Sequence, residues 1–312
     1  MTRTEANIVL FSITLCWASS YIFVKNLPAD LSPVAYMTMT SGLAFLILTI
    51  VFVARIRELK GRVLWRSAVL AVIICFNLVL ERLGVSRIPA STASFVASLT
   101  IVFVPLILLL LQKKPTKNNV LGIPFILAGL VLTSGIHRGA PLEAGVLYMV
   151  GACIFMAVYV IVVDGFSKQD DPLLLSMGQM LWVTVIAFLL WCLEEPRTFW
   201  ALSYTNEMLA SIFLLAFFAR AYAYIMLMYG QRYANPISVT VIASTEPVVT
   251  MALVLLIPDT FGQTEAFTAS KLLGGLLIVI GAICAGTSFL DNPHWLSKVR
   301  LGHPKDRGVM AP

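Results

Sequence analysis

Glu246 and Arg220 carry the chemistry that most needs an explanation. Each lies inside a run of apolar residues, 207–229 for Arg220 and 236–257 for Glu246. An isolated charge at the centre of a bilayer costs about 2.5–3.5 kcal/mol on insertion scales. Each must therefore face a polar cavity or the other charge. A structural ion pair and a contact with solute or a coupling proton both meet that requirement. Pro247 follows Glu246 and leaves the carbonyl of Ala243 without its usual donor. Ser244 and Thr245 add two hydroxyls, so the run offers a hinge and free acceptors at one depth. The run 90–111 offers a weaker version. There Pro105 frees the carbonyl of Ile101, and Ser91, Ser94 and Ser98 share one helical face. Ordinary helix bending with hydroxyl back-bonding is the competing account of both.

Aromatic and amide side chains recur at similar depth. Trp17 and Tyr21 lie one turn apart, Tyr159 occupies the matching place later in the chain, Trp182 is central in its run, and Tyr222 and Tyr224 follow Arg220. Such rings stack a flat solute, hold an ammonium by cation–π attraction, or simply pack helices. Tyr36, Tyr148, Trp200 and Tyr204 are expected as interfacial anchors. Asn77, Thr40 and Gln179 are polar groups within apolar runs and must be hydrogen-bonded, in a cavity or between helices. Lys25, Glu81 and Arg82 are expected near the outer ends of their helices, as a charge latch or as snorkelling side chains.

The elements that position these residues follow from composition. Only 12 % of the 312 residues are charged and 59 % are hydrophobic; a soluble domain carries about 25 % charge. Ten apolar stretches stand out, at 7–26, 34–54, 64–84, 90–111, 119–136, 142–163, 173–193, 207–229, 236–257 and 269–289. Most reach the ~20 residues that cross a hydrocarbon core. Unbroken apolarity at that length predicts helices and excludes a barrel, whose strands alternate. The first stretch reads as a retained span, because no small-residue cleavage site follows it. Of 22 Lys and Arg, 15 fall on one side of this topology and six on the other, with Arg220 inside a helix. That bias predicts both termini in the cytoplasm. The five cysteines lie in apolar stretches without metal or disulfide spacing. The basic net charge of +6 sits in short clusters between spans, which points to membrane topology and not to nucleic acid. No nucleotide-binding loop is present, so any transport draws on a gradient.

The two halves echo each other. Trp17–Tyr21 aligns with Phe155–Tyr159 at an offset of 138, and Pro33 with Pro172 at 139. Gly84 aligns with Gly230, Ser94 with Thr240 and Ser98 with Ser244, all at 146. Gly122 and Gly129 match Gly274 and Gly281, and this seven-residue spacing gives smooth faces suited to close helix contact, within the chain or between two chains. The echo predicts a repeat of five helices. Since five is odd, the second copy enters the membrane inverted, which suits alternating access better than a channel.

The chain resembles the ten-helix EamA branch of the drug/metabolite transporter superfamily. The residues that carry the resemblance span about 7–289. They are Trp17-Ala18-Ser19-Ser20-Tyr21 with Lys25, Pro89-Ala90-Ser91-Thr92-Ala93-Ser94, Ala234-Asn235-Pro236, Glu246-Pro247-Val248-Val249, and Leu273-Gly274 leading to Gly281-Ala282. The resemblance implies an all-α inverted-repeat fold in which helices 1–4 and 6–9 surround a central cavity and helices 5 and 10 lie outside. It also implies a bacterial inner-membrane carrier that exports amino acids or related metabolites. The chain departs from the pattern in lacking the Gly-Glu pair after helices 4 and 9, in having Ile101 where a proline is expected, and in having Thr40 where an Arg is common. The expected units are 1–138, 139–290 and a cytoplasmic tail, 291–312. The expected activity is secondary transport of a small amino acid, amine or amphipathic solute, without cofactor or metal. Its expected partners are lipid, the solute and protons, as a monomer or homodimer. An integral-membrane enzyme and a non-transporting scaffold or receptor are the alternatives. Substrate-contact candidates are Glu246, Arg220, Trp17, Tyr21, Thr40, Asn77, Ser98, Tyr159, Gln179, Trp182, Tyr222 and Ser244, with Pro105 and Pro247 as hinges.

Overall fold

A computed structural model describes residues 3–28, 30–112, 117–133, 143–198, 202, 204–257 and 268–286, and these contain helices and no strand. The helices are α1 (Arg3–Lys25), α2 (Pro33–Val51), α3 (Gly61–Val85), α4 (Ala90–Ala97), α5 (Thr100–Leu110), α6 (Lys117–Thr133) and α7 (Ala144–Ser167). They continue with α8 (Pro172–Glu194), α9 (Asn206–Leu214), α10 (Ala223–Gln231), α11 (Pro236–Ala243), α12 (Glu246–Leu256) and α13 (Ala269–Gly286). A short 3-10 turn, Val53–Glu58, joins α2 to α3, and a π-helical stretch, Leu215–Tyr222, joins α9 to α10. Taken as continuous segments, eight are apolar and long enough to cross a membrane, 19 to 26 residues each. Two shorter apolar helices lie at Val120–Gly129 and Ala269–Gly281. The protein is a multi-pass integral-membrane protein. The expected ends of the fifth and tenth spans, Trp200 and the tail 291–312 lie outside the described residues.

Helix starts follow local chemistry. Ser32, Asp171 and Asn235 each cap a helix whose first residue is proline, and their side chains accept from Ala35, Leu173 and Ser238 backbone amides. Proline at that position forfeits an amide that had no intrahelical partner. The capping oxygen satisfies another.

Spans 90–110 and 236–256 are each broken in the middle, into helices of 8 and 11 residues. The breaks coincide at an offset of 146: Ala90 with Pro236, Ala97 with Ala243, Thr100 with Glu246, Leu110 with Leu256. The first break is at Ser98–Leu99, where Leu99 and Ile101 amides donate three residues back, to Val96 and Ser98. Pro105 stays inside α5 and is not the break. Its missing N–H frees the carbonyl of Ile101, one turn earlier and inside α5. Pro247 sits at the second position of α12, directly after the break at Ser244–Thr245.

The small-residue faces of α6 and α13 mesh with each other. A Cβ on Gly129 would come 2.5 Å from the Gly274 carbonyl oxygen, and one on Gly281 would come 2.7 Å from that of Gly122. Their close packing is intramolecular, and the crossed pairing shows that the two helices run antiparallel. Elsewhere α3 packs on α7 and α8, α2 packs on α8, and α1 packs on α10 and α12.

Candidate functional site

One cavity gathers most of the unusual residues. Its lining comes from α1, α3, the broken pair α4–α5, α7, the π-helical stretch with α10, and the broken pair α11–α12. The cavity volume is about 80 Å³, room for several waters. No lining side chain comes from α2 or α8. This narrows the expected ring of helices 1–4 and 6–9, because α2 and α8 pack on each other behind the wall.

Three acidic or basic side chains face this space: Glu81 from α3, Arg220 from the π-helical stretch and Glu246 from the start of α12. Arg220 and Glu246 are 4 % and 7 % exposed. Among the described residues no ion pair joins Arg220 to either carboxyl. Arg220 is held by phenols instead. Nη2 donates to the Tyr36 hydroxyl at 2.7 Å and Nη1 to the Tyr224 hydroxyl at 3.3 Å. Both rings lie within cation–π range, 5.5 and 5.9 Å from the guanidinium carbon. Nε has no hydrogen-bond partner. Tyr21 and Glu246 line the cavity together.

The helix geometry explains who meets whom. Trp17, Ser20 and Tyr21 lie at i, i+3, i+4 on α1, Asn77 and Glu81 at i, i+4 on α3, and Arg220 and Tyr224 likewise. The Tyr224 ring meets Trp17 edge-on at 6.1 Å and Tyr159 at 5.8 Å. Asn77 donates from Nδ2 to the Ala152 carbonyl at 2.9 Å and so ties α3 to α7 at the rim. Ser98 and Ser244 line the cavity at matching breaks. Their hydroxyls donate within their own helices, to Ser94 at 3.4 Å and Val241 at 2.5 Å.

Beyond the cavity, charge crosses the molecule at the face that carries the start of α1. Asp170, 3 % exposed at its side chain, accepts from Arg62 at 2.6 and 3.1 Å and from Arg66. Asp171 accepts from Arg55 at 2.8 Å while its other oxygen caps α8. Arg66 also donates to Gln169 and lies over the Phe166 ring. Hydrogen bonds to Asp171 and then Glu58 raise the Arg55 guanidinium above its ordinary value, so salt weakens this clasp and alkali does not. It joins the segment 55–66 to the segment 166–171. At the opposite face Arg82 donates to the carbonyls of Val24, Pro28 and Leu31, and Lys25 to those of Val85 and Ile88.

The EamA-like transporter family pattern matches residues 4–135 and again residues 143–287. The chain belongs to the EamA-like transporter family. An uncharacterized transporter of Archaeoglobus fulgidus is 22 % identical over 282 residues, which cover 90 % of this chain and 85 % of that protein. A crystal structure superposes with a TM-score of 0.69 at 18 % identity, over 91 % of this chain and 96 % of the other. That likeness speaks to the fold alone.

In this EamA-like transporter, seven of the twelve residues singled out by sequence line the cavity: Trp17, Tyr21, Asn77, Ser98, Arg220, Ser244 and Glu246. Five do not. Thr40 donates back to the Tyr36 carbonyl at 2.8 Å, as a hydroxyl does when its helix face is packed. Tyr159 donates to Gln179 Oε1 at 2.8 Å in the layer behind. Trp182 donates to the Leu64 carbonyl, fastening α8 to α3. Tyr222 is bonded to Ser12 at 2.8 Å, because residues two apart on a helix point to different sides and it faces away from Arg220 and Tyr224. Tyr36 is no interfacial anchor; it is 2 % exposed and holds Arg220. Glu81 is no partner of Arg82 or Lys25, since those two satisfy backbone carbonyls. Its i, i+4 spacing from Asn77 was the available signal. Among the described residues no group of three or more His, Cys, Asp or Glu could hold a metal.

Proposed function

We propose that the protein is a secondary carrier moving a small amino acid, amine or amphipathic solute across the cell's inner membrane by alternating access. One observation carries the reading: a cavity among the membrane-spanning helices, walled by both broken helix pairs and lined by Arg220, Glu81 and Glu246. Buried ionisable groups in a membrane cavity are the mark of solute or proton pathways. Broken helices beside a cavity are where carriers bind and bend.

Two inverted five-helix units, 1–138 and 139–290, make up the carrier in this reading, with both chain ends in the cytoplasm. The matched breaks at an offset of 146 and the twofold family match support this. The clasp of Arg55, Arg62 and Arg66 with Asp170 and Asp171 then bridges the units at the cytoplasmic face. It holds that side shut while the cavity faces the other way. Export is the direction favoured by the family resemblance, and protons are the coupling ion best suited to a buried and a half-buried carboxyl, Glu246 and Glu81.

The test is uptake and counterflow in proteoliposomes over a panel of amino acids and amines at two pH values. Solute-specific, saturable counterflow that changes with pH is expected. Absence of flux for every member, or leak without saturation, would contradict a carrier.

A further inference from the structure

We infer that Arg220 is an anchor for the carboxylate of the transported solute, so that the cavity selects zwitterions over plain amines. The inference rests on the carrier reading above and deepens it.

Arg220 is buried, charged and only partly satisfied. Its two terminal nitrogens are occupied by Tyr36 and Tyr224, which fix the plane of the guanidinium. Neutral phenols do not cancel its charge. Its Nε is unpartnered while the residue lines the cavity. A guanidinium so held lacks an oxyanion, the group its geometry fits best. A structural role would pair it with Glu81 or Glu246, and neither lies within ion-pair reach of it. The cavity therefore holds a guanidinium and two carboxyl groups that are not ion-paired with one another. A solute with a carboxylate at one end and an ammonium at the other completes both. A plain amine meets the carboxyls but also meets the uncancelled guanidinium, which repels it. Tyr36 and Tyr224 are positioning residues in this scheme. Arg82 also stands over the Tyr36 ring, 5.9 Å from its centroid.

The test compares matched solutes in proteoliposomes: each amino acid of the panel against the amine left by removing its carboxylate, for example L-leucine against isopentylamine. In the wild type, a carried amino acid should outcompete its amine by about tenfold or more, the scale of one charge-assisted hydrogen bond. In Arg220→Gln the ratio should fall to near one, while Arg220→Lys keeps part of it. Should Arg220→Gln fail to fold, Tyr36→Phe and Tyr224→Phe serve in its place. Each should lower the ratio severalfold without abolishing flux. Amines carried as well as their amino acids by the wild type would overturn the inference and leave the carrier reading standing. So would an unchanged ratio in these variants. Failure of all solutes to move would remove the carrier reading itself.

Discussion

Replacing Asp170 by Asn tests the clasp between the two halves. The carboxylate is 3 % exposed and receives both Arg62 and Arg66, whose side chains are 63 % and 18 % exposed. Asn keeps one acceptor and loses the charge. The Arg62 contact is mostly in solvent and is worth about 0–1 kcal/mol. The half-buried Arg66 contact is worth about 1.5–3 kcal/mol as a hydrogen bond between charged groups. Neither arginine is stranded in a dry interior by the change, so the larger penalty of a broken buried pair does not apply. A net loss of about 2 kcal/mol follows, or ~30-fold in the ratio of closed to open states at that face. Spin labels at Arg57→Cys and Lys168→Cys sit on the two sides of the clasp, and pulsed dipolar spectroscopy reads the fraction at long distance. That fraction should rise steeply in Asp170→Asn and more weakly in the wild type at 1 M salt, where the screening length is about 3 Å. An unchanged distance distribution in Asp170→Asn would refute the claim that these ion pairs hold the face shut.

Other expectations concern packing and charge. Gly129→Ala and Gly281→Ala drive a methyl against a backbone carbonyl on the partner helix, and each should destabilise the fold by about 1–3 kcal/mol. A Cβ at Gly165 meets nothing within 4 Å, so Gly165→Ala should leave the melting temperature unchanged or slightly raised. Glu246→Gln replaces a buried carboxyl that lines the cavity with a neutral group of the same size. It should cut flux at least about tenfold while thermal stability holds or improves, since burying a charge is costly. Wild-type flux with wild-type pH dependence in Glu246→Gln would remove that residue from the mechanism.

Much of this arrangement is legible in the sequence because lipid leaves few options. Apolar length fixes the helices, and the residues too polar for lipid have to collect where polarity is tolerated. Arg220, Glu246, Asn77 and Trp17 follow that logic into one cavity. The matched serines at 98 and 244 come from the same offset that later locates both helix breaks. Rotation about the helix axis was harder to read. Tyr222 and Tyr224 differ by two residues, and helical spacing decides between them: Tyr224, four residues on, meets Arg220, while Tyr222 faces away. Tyr36 lies in the first turn of α2, where the sequence favours an interfacial ring; tertiary packing of α2 against the π-helical stretch brings it inward. Pro105 is a visible hinge signal that misses the break. A proline acts on the carbonyl four residues back and on the residue before it, whereas the break lies at Ser98–Leu99. The matching break at Ser244–Thr245 forms with Met251 in the equivalent place. Glu81 and Arg82 are neighbours in sequence but point about 100° apart on the helix, so Glu81 lines the cavity while Arg82 satisfies backbone carbonyls.

Two-sided labelling of one cavity residue tests the central claim most directly. A single reporter cysteine at Ser244→Cys, in a chain with its own cysteines replaced, is offered a membrane-impermeant maleimide from one face of oriented vesicles and then from the other. An alternating-access carrier predicts reaction from either face in separate populations, suppression by a transported solute, and more reaction from the clasp side in Asp170→Asn. Reaction from one face only under every condition would contradict the account.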